Sequence, residues 1–137
     1  MDLTLSEAIR FSDEWRIGEW FQAFLSWKWW NEKLAKIIWA SGTVGKLRLV
    51  ELSDMKRVMW TVEEDLIWKE DKIVWEKRVS DLIDLIESWW QCPPFLLWHQ
   101  DWIYTLADGN HRFEALKILW IESYWASVWE NEEFNPN

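Results

Sequence analysis

Glycine is the residue that this sequence has too little of. The 137 residues include 4 Gly, where an average usage of ~7% would give about 10. Tryptophan is abnormally abundant, with 16 residues. Several tryptophans occupy positions that physically favour glycine. Trp89 and Trp120 each follow an apolar helical pattern, where a helix often ends in glycine. Trp102 follows Asp101 between two strand-like segments, which is the place of an Asp-Gly hairpin turn.

These positions suggest a recoded codon. Trp27, Trp29 and Trp30 also crowd a loop-like stretch after Ser26. We hypothesise that the source reads UGA as glycine and that the codon was translated here as tryptophan. The alternative is a protein that is genuinely rich in tryptophan. In either case we assign no ligand-stacking role to these residues.

Cysteine and basic charge are scarce as well. The single Cys92 excludes an internal disulfide and a multi-cysteine metal site. The net charge of −9 disfavours DNA or RNA as a partner held through its backbone, although a local basic pocket is compatible with it. Residues 1–4 have no apolar signal core, and no segment approaches the length of a membrane span. We therefore expect a cytoplasmic protein with no membrane partner.

The first 45 residues predict an N-terminal helical extension. Thr4 and Glu7 have the spacing of a capping box, and the apolar pattern after them predicts one helix to about Leu25. A second helix is predicted over 31–40, ending at Ser41-Gly42. Residues 42–45 are predicted to be a turn, because they lack the lysine of a phosphate loop and precede a strand.

Residues 46–137 predict one compact α/β or α+β domain. Residues 46–52 alternate as a strand should. Glu51 shares a face with Leu47 and Leu49 that we interpret as buried, and we favour exposure at a sheet edge as the explanation of its charge. Residues 54–76 predict a surface loop with strand-like pieces at 66–68 and 73–75. The remaining predicted elements are a helix over 77–88, a hairpin of strands over 95–98 and 103–107, a turn and helix over 108–119, and a strand over 124–129.

The junction after the second hairpin strand concentrates polar chemistry. Asp108, Gly109, Asn110, His111 and Arg112 are consecutive there. A strand-to-helix junction presents unpaired backbone N–H groups and a positive dipole end, which suit phosphate and other anions. Each residue also has an ordinary structural explanation: His111 as a helix cap, Arg112 paired with Glu114, and Asp108 as a turn residue.

The residues around this junction resemble a known superfamily. Residues 93–97 (PPFLL) followed by 104–116 (YTLADGNHRFEAL) resemble the ParB/sulfiredoxin superfamily over about residues 46–130. The resemblance implies a small mixed sheet flanked by helices, with the N-terminal helices added. It also implies a nucleotide phosphate, from ATP or CTP with Mg²⁺, held at the turn. By this resemblance, Gly109 allows the backbone to approach the phosphate closely, and His111 and Arg112 face phosphate oxygens. Asn110 belongs to the same binding set, and Asp108 orients a metal or a proton.

Departures from the superfamily pattern narrow its functions. Sulfiredoxins carry their catalytic cysteine where this sequence has Asn110, and Cys92 lies far away in sequence beside a proline, which argues against sulfinic acid reduction. Partition proteins have a more arginine-rich box and continue into two further domains, for which the sequence leaves no room after Asn137. We therefore do not expect plasmid partition as a complete function.

Three functions stay open. An NTPase or phosphotransferase would need a catalytic carboxylate, for which Glu51, Glu76 and Glu114 are candidates. The catalytic set that we predict is His111, Asp108 and Glu51. A regulatory or interaction module would keep the phosphate turn without turnover. A ParB-like nuclease would use His111 as a general base or a metal ligand.

Overall fold

A mixed β-sheet with helices on both faces forms the body of the protein. The computed structural model describes residues 3–27, 32–40, 43–56, 72–100 and 103–130. Its helices are α1 (Leu5–Asp13), α2 (Ile17–Ser26), α3 (Glu32–Ala40), α4 (Lys72–Glu87) and α5 (Asn110–Ile118). Its strands are β1 (Thr43–Val44), β2 (Arg48–Glu51), β3 (Met55–Lys56), β4 (Phe95–Gln100), β5 (Ile103–Asp108) and β6 (Ser123–Glu130).

The strand order places the hairpin β4–β5 at the centre of the sheet. The order is β1-β6-β4-β5-β3, and β2 pairs with β6 on the same side as β1. The pairs β4–β6 and β3–β5 are parallel, and the other pairs are antiparallel. This topology confirms the predicted fold class, a mixed sheet flanked by helices.

β4 is buried on both faces. Successive side chains of a strand point to opposite sides, and those of β4 pack into two different clusters. Phe95 and Leu97 belong to a cluster that includes residues of β5, β6 and α5. Leu96 and Trp98 belong to a second cluster with residues of α1, α2, α3 and β6. The N-terminal helices therefore share a core with one face of the sheet, and α5 covers the other face.

Two predicted N-terminal elements are right and one is wrong. Thr4 Oγ1 accepts a hydrogen bond from Glu7 N at 3.2 Å, so the Thr4 half of the predicted capping box is present, and the Glu7 carboxylate accepts from Arg10. The second predicted helix is α3. The single helix to Leu25 is wrong, because α1 ends at Asp13 and α2 begins at Ile17.

Three further predictions are corrected by the structure. Thr43–Val44, predicted as part of a turn, is strand β1 paired with β6. Residues 73–75 are helical and form the start of α4, a helix that packs against α5. In β2 the buried residue is Val50, and Leu49 is 59% exposed, so the face interpreted as buried is the solvent face. The favoured explanation of Glu51, exposure at a strand end, is confirmed. The predicted strand piece at 66–68 and the turn at Asp101-Trp102 lie outside the described residues.

No helix in the described ranges combines the length and the apolar character that a membrane crossing requires.

Burial of β4 on both faces is directly testable. Leu96→Ala and Leu97→Ala should each lower the free energy of unfolding by about 2–5 kcal/mol, because each removes a fully buried side chain. Leu49→Ala, at an exposed position of β2, should change it by less than about 0.5 kcal/mol. Urea unfolding followed by circular dichroism measures all three. A small effect of either β4 variant would contradict the two-sided core.

Candidate functional site

The junction between β5 and α5 is a tight turn made by one glycine. Gly109 has φ 107° and ψ 21°, in the left-handed region. A Cβ atom there would lie 2.6 Å from Phe95 Cδ1 and 2.7 Å from Arg112 Nη2. Both the backbone conformation and the lack of space therefore require glycine. Phe113 N donates to Gly109 O at 2.8 Å, which is the first hydrogen bond of the helix.

The start of α5 presents backbone donors. Gly109 is the N-cap residue and has no side chain to accept a hydrogen bond, and the first turn carries no acidic residue. The N–H groups of the first helical turn precede the first i→i−4 bond and have no partner within the helix. Together with the helix dipole, these N–H groups favour an anion at the turn.

Arg112 places a positive charge beneath the turn. Its side chain is only 6% exposed. The guanidinium carbon lies 5.2 Å from the ring centroid of Phe24 and 5.8 Å from that of Phe95. Phe24 is stacked in turn on Trp20, with ring centroids 5.0 Å apart and planes at 13°. Because both belong to α2, the N-terminal helices contribute directly to the packing of Arg112.

His111 lies on a different side of α5. Its ring centroid is 4.2 Å from that of Trp75 on α4, with the ring planes at 39°. Adjacent helical residues are separated by about 100° around the axis, so consecutive side chains do not face the same neighbour. The structure places the His111 ring against α4 and the Arg112 guanidinium against α2 and β4. The phosphate-facing roles that the resemblance implies for both residues stay predictions.

Asp108 and Asn110 flank Gly109 on either side. Asp108 is the last residue of β5 and pairs with Leu96 of β4, and its side chain lies outside what the structure describes. Asn110 is the first residue of α5 and is half-buried. The binding roles predicted for both residues stay predictions.

Glu51 is not brought to the turn. It ends β2 opposite Ser123, and strands β6 and β4 separate β2 from β5. At about 4.8 Å per strand, three spacings place it roughly 14 Å across the sheet from β5. Glu76 is exposed on α4, and Glu114 is half-buried on α5. Within the described residues, no group of three or more His, Cys, Asp or Glu side chains is placed to hold a metal ion.

Cys92 is distant from the turn in sequence but close to Arg112 in space. Its carbonyl oxygen accepts a 2.6 Å hydrogen bond from Tyr124 Oη. Burial raises the pKa of the Cys92 thiol, and the charge of Arg112 only partly offsets that rise. Because the thiolate is the reactive form of cysteine, this buried thiol is a poor nucleophile.

Sequence analysis missed the residues that surround Arg112 and His111. These are Phe24, Trp75, Phe95, Cys92 and Tyr124. Phe95 lies in the segment that carried the resemblance, although it had no assigned role. The others are brought in by contacts between distant parts of the chain, for which a local pattern gives no signal.

Comparisons with known proteins find distant structural neighbours. No family model and no curated protein matches the sequence. Sulfiredoxin from Arabidopsis thaliana is a neighbour with 19% identity and a TM-score of 0.47, covering 62% of this chain and 85% of its own. A conserved hypothetical protein from Pyrococcus furiosus has 20% identity and a TM-score of 0.46, covering 66% of this chain and 34% of its own.

A free serine kinase, whose structure contains AMP, is a third neighbour, with 20% identity and a TM-score of 0.46. The match covers 66% of this chain and 32% of the kinase. The chain therefore spans about a third of the length of these last two proteins. A sulfiredoxin is among these neighbours, as the resemblance to the ParB/sulfiredoxin superfamily predicts. The proposals below depend on the chain's own residues.

Substituting the turn glycine should destabilise the protein. Gly109→Ala should lower the free energy of unfolding by at least about 1–2 kcal/mol, from the left-handed backbone alone, with the overlap on Phe95 adding to it. Gly18→Ala is the matched control, because it lies in α2 with no atom within 4 Å of the added Cβ. That control should raise stability by up to about 1 kcal/mol. Equal effects of the two variants in urea unfolding would contradict the geometry of the turn.

Stability should fall at alkaline pH because of Cys92 and Tyr124. Burial raises the pKa of both groups in the folded protein. The unfolded chain therefore loses these protons first, so stability is full below roughly pH 8.5 and declines above it. A Cys92→Ala/Tyr124→Phe variant, less stable at neutral pH, should show a shallower decline between pH 8 and 11 in urea unfolding. An unchanged slope in that variant would contradict the assignment.

Proposed function

We propose that the Gly109 turn binds the phosphate of a nucleotide and that the chain is a nucleotide-binding domain. The observation that carries this proposal is the glycine N-cap of α5, which supplies no capping side chain, next to the buried guanidinium of Arg112, whose Nη2 lies 2.7 Å from the place of a Cβ at residue 109. The resemblance of residues 104–116 to the superfamily motif favours a nucleotide, ATP or CTP, as the source of the phosphate.

The backbone and Arg112 have separate roles in this proposal. The first-turn N–H groups donate hydrogen bonds to the phosphate oxygens, as they do at other helix N-termini that hold phosphate. Arg112 contributes positive potential from below, in surroundings of low dielectric where a charge acts more strongly than in water. Phe24 and Phe95 hold the guanidinium in position. Mg²⁺ would associate mainly with the phosphates themselves.

Turnover is a further step beyond binding. Phosphoryl transfer depends on positioning and charge neutralisation, together with a group that orients the nucleophile. Asp108 is the candidate for that group, since it is adjacent to Gly109, whereas Glu51 lies several strands away. A domain that binds without turnover would be the regulatory module.

Isothermal titration calorimetry with ATP, CTP, GTP, ADP and inorganic phosphate, each with and without Mg²⁺, tests the proposal. Arg112→Met should weaken the binding of the preferred nucleotide about tenfold or more, because it removes the charge but keeps an apolar chain of similar length. Arg78→Met, at an exposed position of α4, is the matched control and should leave affinity unchanged. Circular dichroism verifies that both variants are folded.

The outcomes separate the alternatives. Failure of all nucleotides to bind, or equal affinity in Arg112→Met, would overturn the proposal. Equal binding of inorganic phosphate and nucleotides would show a phosphate site without nucleotide recognition. Release of phosphate from the bound nucleotide, lost in Asp108→Asn, would identify an NTPase. Binding without release would identify the regulatory module.

A further inference from the structure

Three helices end with a tryptophan in the left-handed conformation. Trp15 follows α1 with φ 60°, Trp89 follows α4 with φ 69°, and Trp120 follows α5 with φ 63°. Among the residues that the structure describes, these are the non-glycine residues with positive φ. Three independent helix ends therefore place the same residue type in a conformation that bulky side chains rarely adopt.

The hydrogen bonds at all three ends form the same Schellman motif. In this motif the N–H of the residue after the C-cap donates to the carbonyl three residues before it. The N–H of the following residue donates to the carbonyl five residues before it. The α1 end shows both bonds, Trp15 N to Ser12 O at 3.0 Å and Arg16 N to Phe11 O at 2.7 Å. The α4 and α5 ends repeat them: Trp89 N to Ile86 O at 3.2 Å, Trp90 N to Leu85 O at 3.0 Å, Trp120 N to Lys117 O at 3.1 Å and Ile121 N to Leu116 O at 3.0 Å.

Glycine is the residue that this motif favours, because it has no Cβ to clash in the left-handed region. The indole groups gain little burial in return, since Trp15, Trp89 and Trp120 are 78%, 93% and 89% exposed. A tryptophan at such a position is strained by the left-handed conformation. Its side chain also lacks the apolar contacts that normally make a large aromatic residue stabilising.

Other tryptophans of the same chain are clearly aromatic core residues. Trp20 and Trp129 are fully buried and Trp98 is 5% exposed, all in the cluster beneath α1, α2 and α3. Trp20 also contacts Phe21 edge to face, with ring centroids 5.2 Å apart. Glycine at any of these positions would leave a large cavity. The chain therefore contains two physically distinct classes of position, both written as tryptophan.

We infer that the native protein has glycine at residues 15, 89 and 120 and tryptophan at residues 20, 98 and 129. The first three are then encoded by UGA read as glycine, and the last three by UGG. This sorting adds Trp15 to the positions that the sequence singled out. Trp27 does not belong to this class, because its φ of −66° and ψ of 122° are open to any residue. Residues 29, 30 and 102 lie outside the described residues.

Peptide mass spectrometry of the protein purified from its native source tests the assignment at each position. Peptides that contain residues 15, 89 and 120 should have the mass of glycine, and those with residues 20, 98 and 129 the mass of tryptophan. Sequencing of the gene should show UGA at the first three codons and UGG at the others. Native peptides with tryptophan at 15, 89 or 120 would overturn the assignment.

Stability of recombinant variants gives a second, independent test. The triple variant W15G/W89G/W120G should have a melting temperature several degrees above that of the protein with tryptophan at all three positions, since it removes three strained residues. The matched control W15A/W89A/W120A also removes the indoles but keeps a Cβ in the left-handed region, so it should melt below the glycine variant. Trp20→Gly and Trp129→Gly should melt far lower or fail to fold. A glycine triple variant no more stable than the alanine one would contradict the inference.

Discussion

The ring of Phe95 leaves no room for a side chain at residue 109, and the candidate site depends on that contact. Phe95 is fully buried in the central strand β4 and also contacts Phe113 and Tyr124 edge to face, at centroid distances of 6.3 and 5.9 Å. Because interiors are close-packed, this ring sets the separation between the sheet and α5. The position of the backbone donors is therefore determined by the core, and a change in packing beneath the turn would move them.

Burial of Arg112 extends the same constraint to the N-terminal helices. A guanidinium between Phe24 and Phe95 joins α2, β4 and α5 at a single side chain. Taking a charge out of water is costly, and an anion above the turn would lower that cost. Helix α2 is thus part of the candidate site's structure, although it lies outside the segment that resembles the superfamily.

The parts of the fold that the sequence predicts well are those with local patterns. The hairpin β4–β5, helix α5 and strand β6 each carry a clear periodicity, and Gly109 is identifiable because a strand-to-helix turn needs it. Contacts such as Phe24 with Arg112 join residues far apart in the chain, and no spacing rule indicates them. The buried face of β2 is wrongly predicted for a related reason. Alternation defines two faces of a strand but does not say which face the rest of the protein covers.

The wrongly predicted single helix to Leu25 has a specific physical cause. Tryptophan at residue 15 is compatible with a continuing helix, so the apolar pattern on either side was joined into one element. Glycine at that position would indicate a helix end. In the structure the helix ends there, because Trp15 adopts the left-handed conformation and the two Schellman hydrogen bonds form. The helix end at residue 15 accompanies the packing of α1 against α2, a contact that a local pattern of residue types does not indicate.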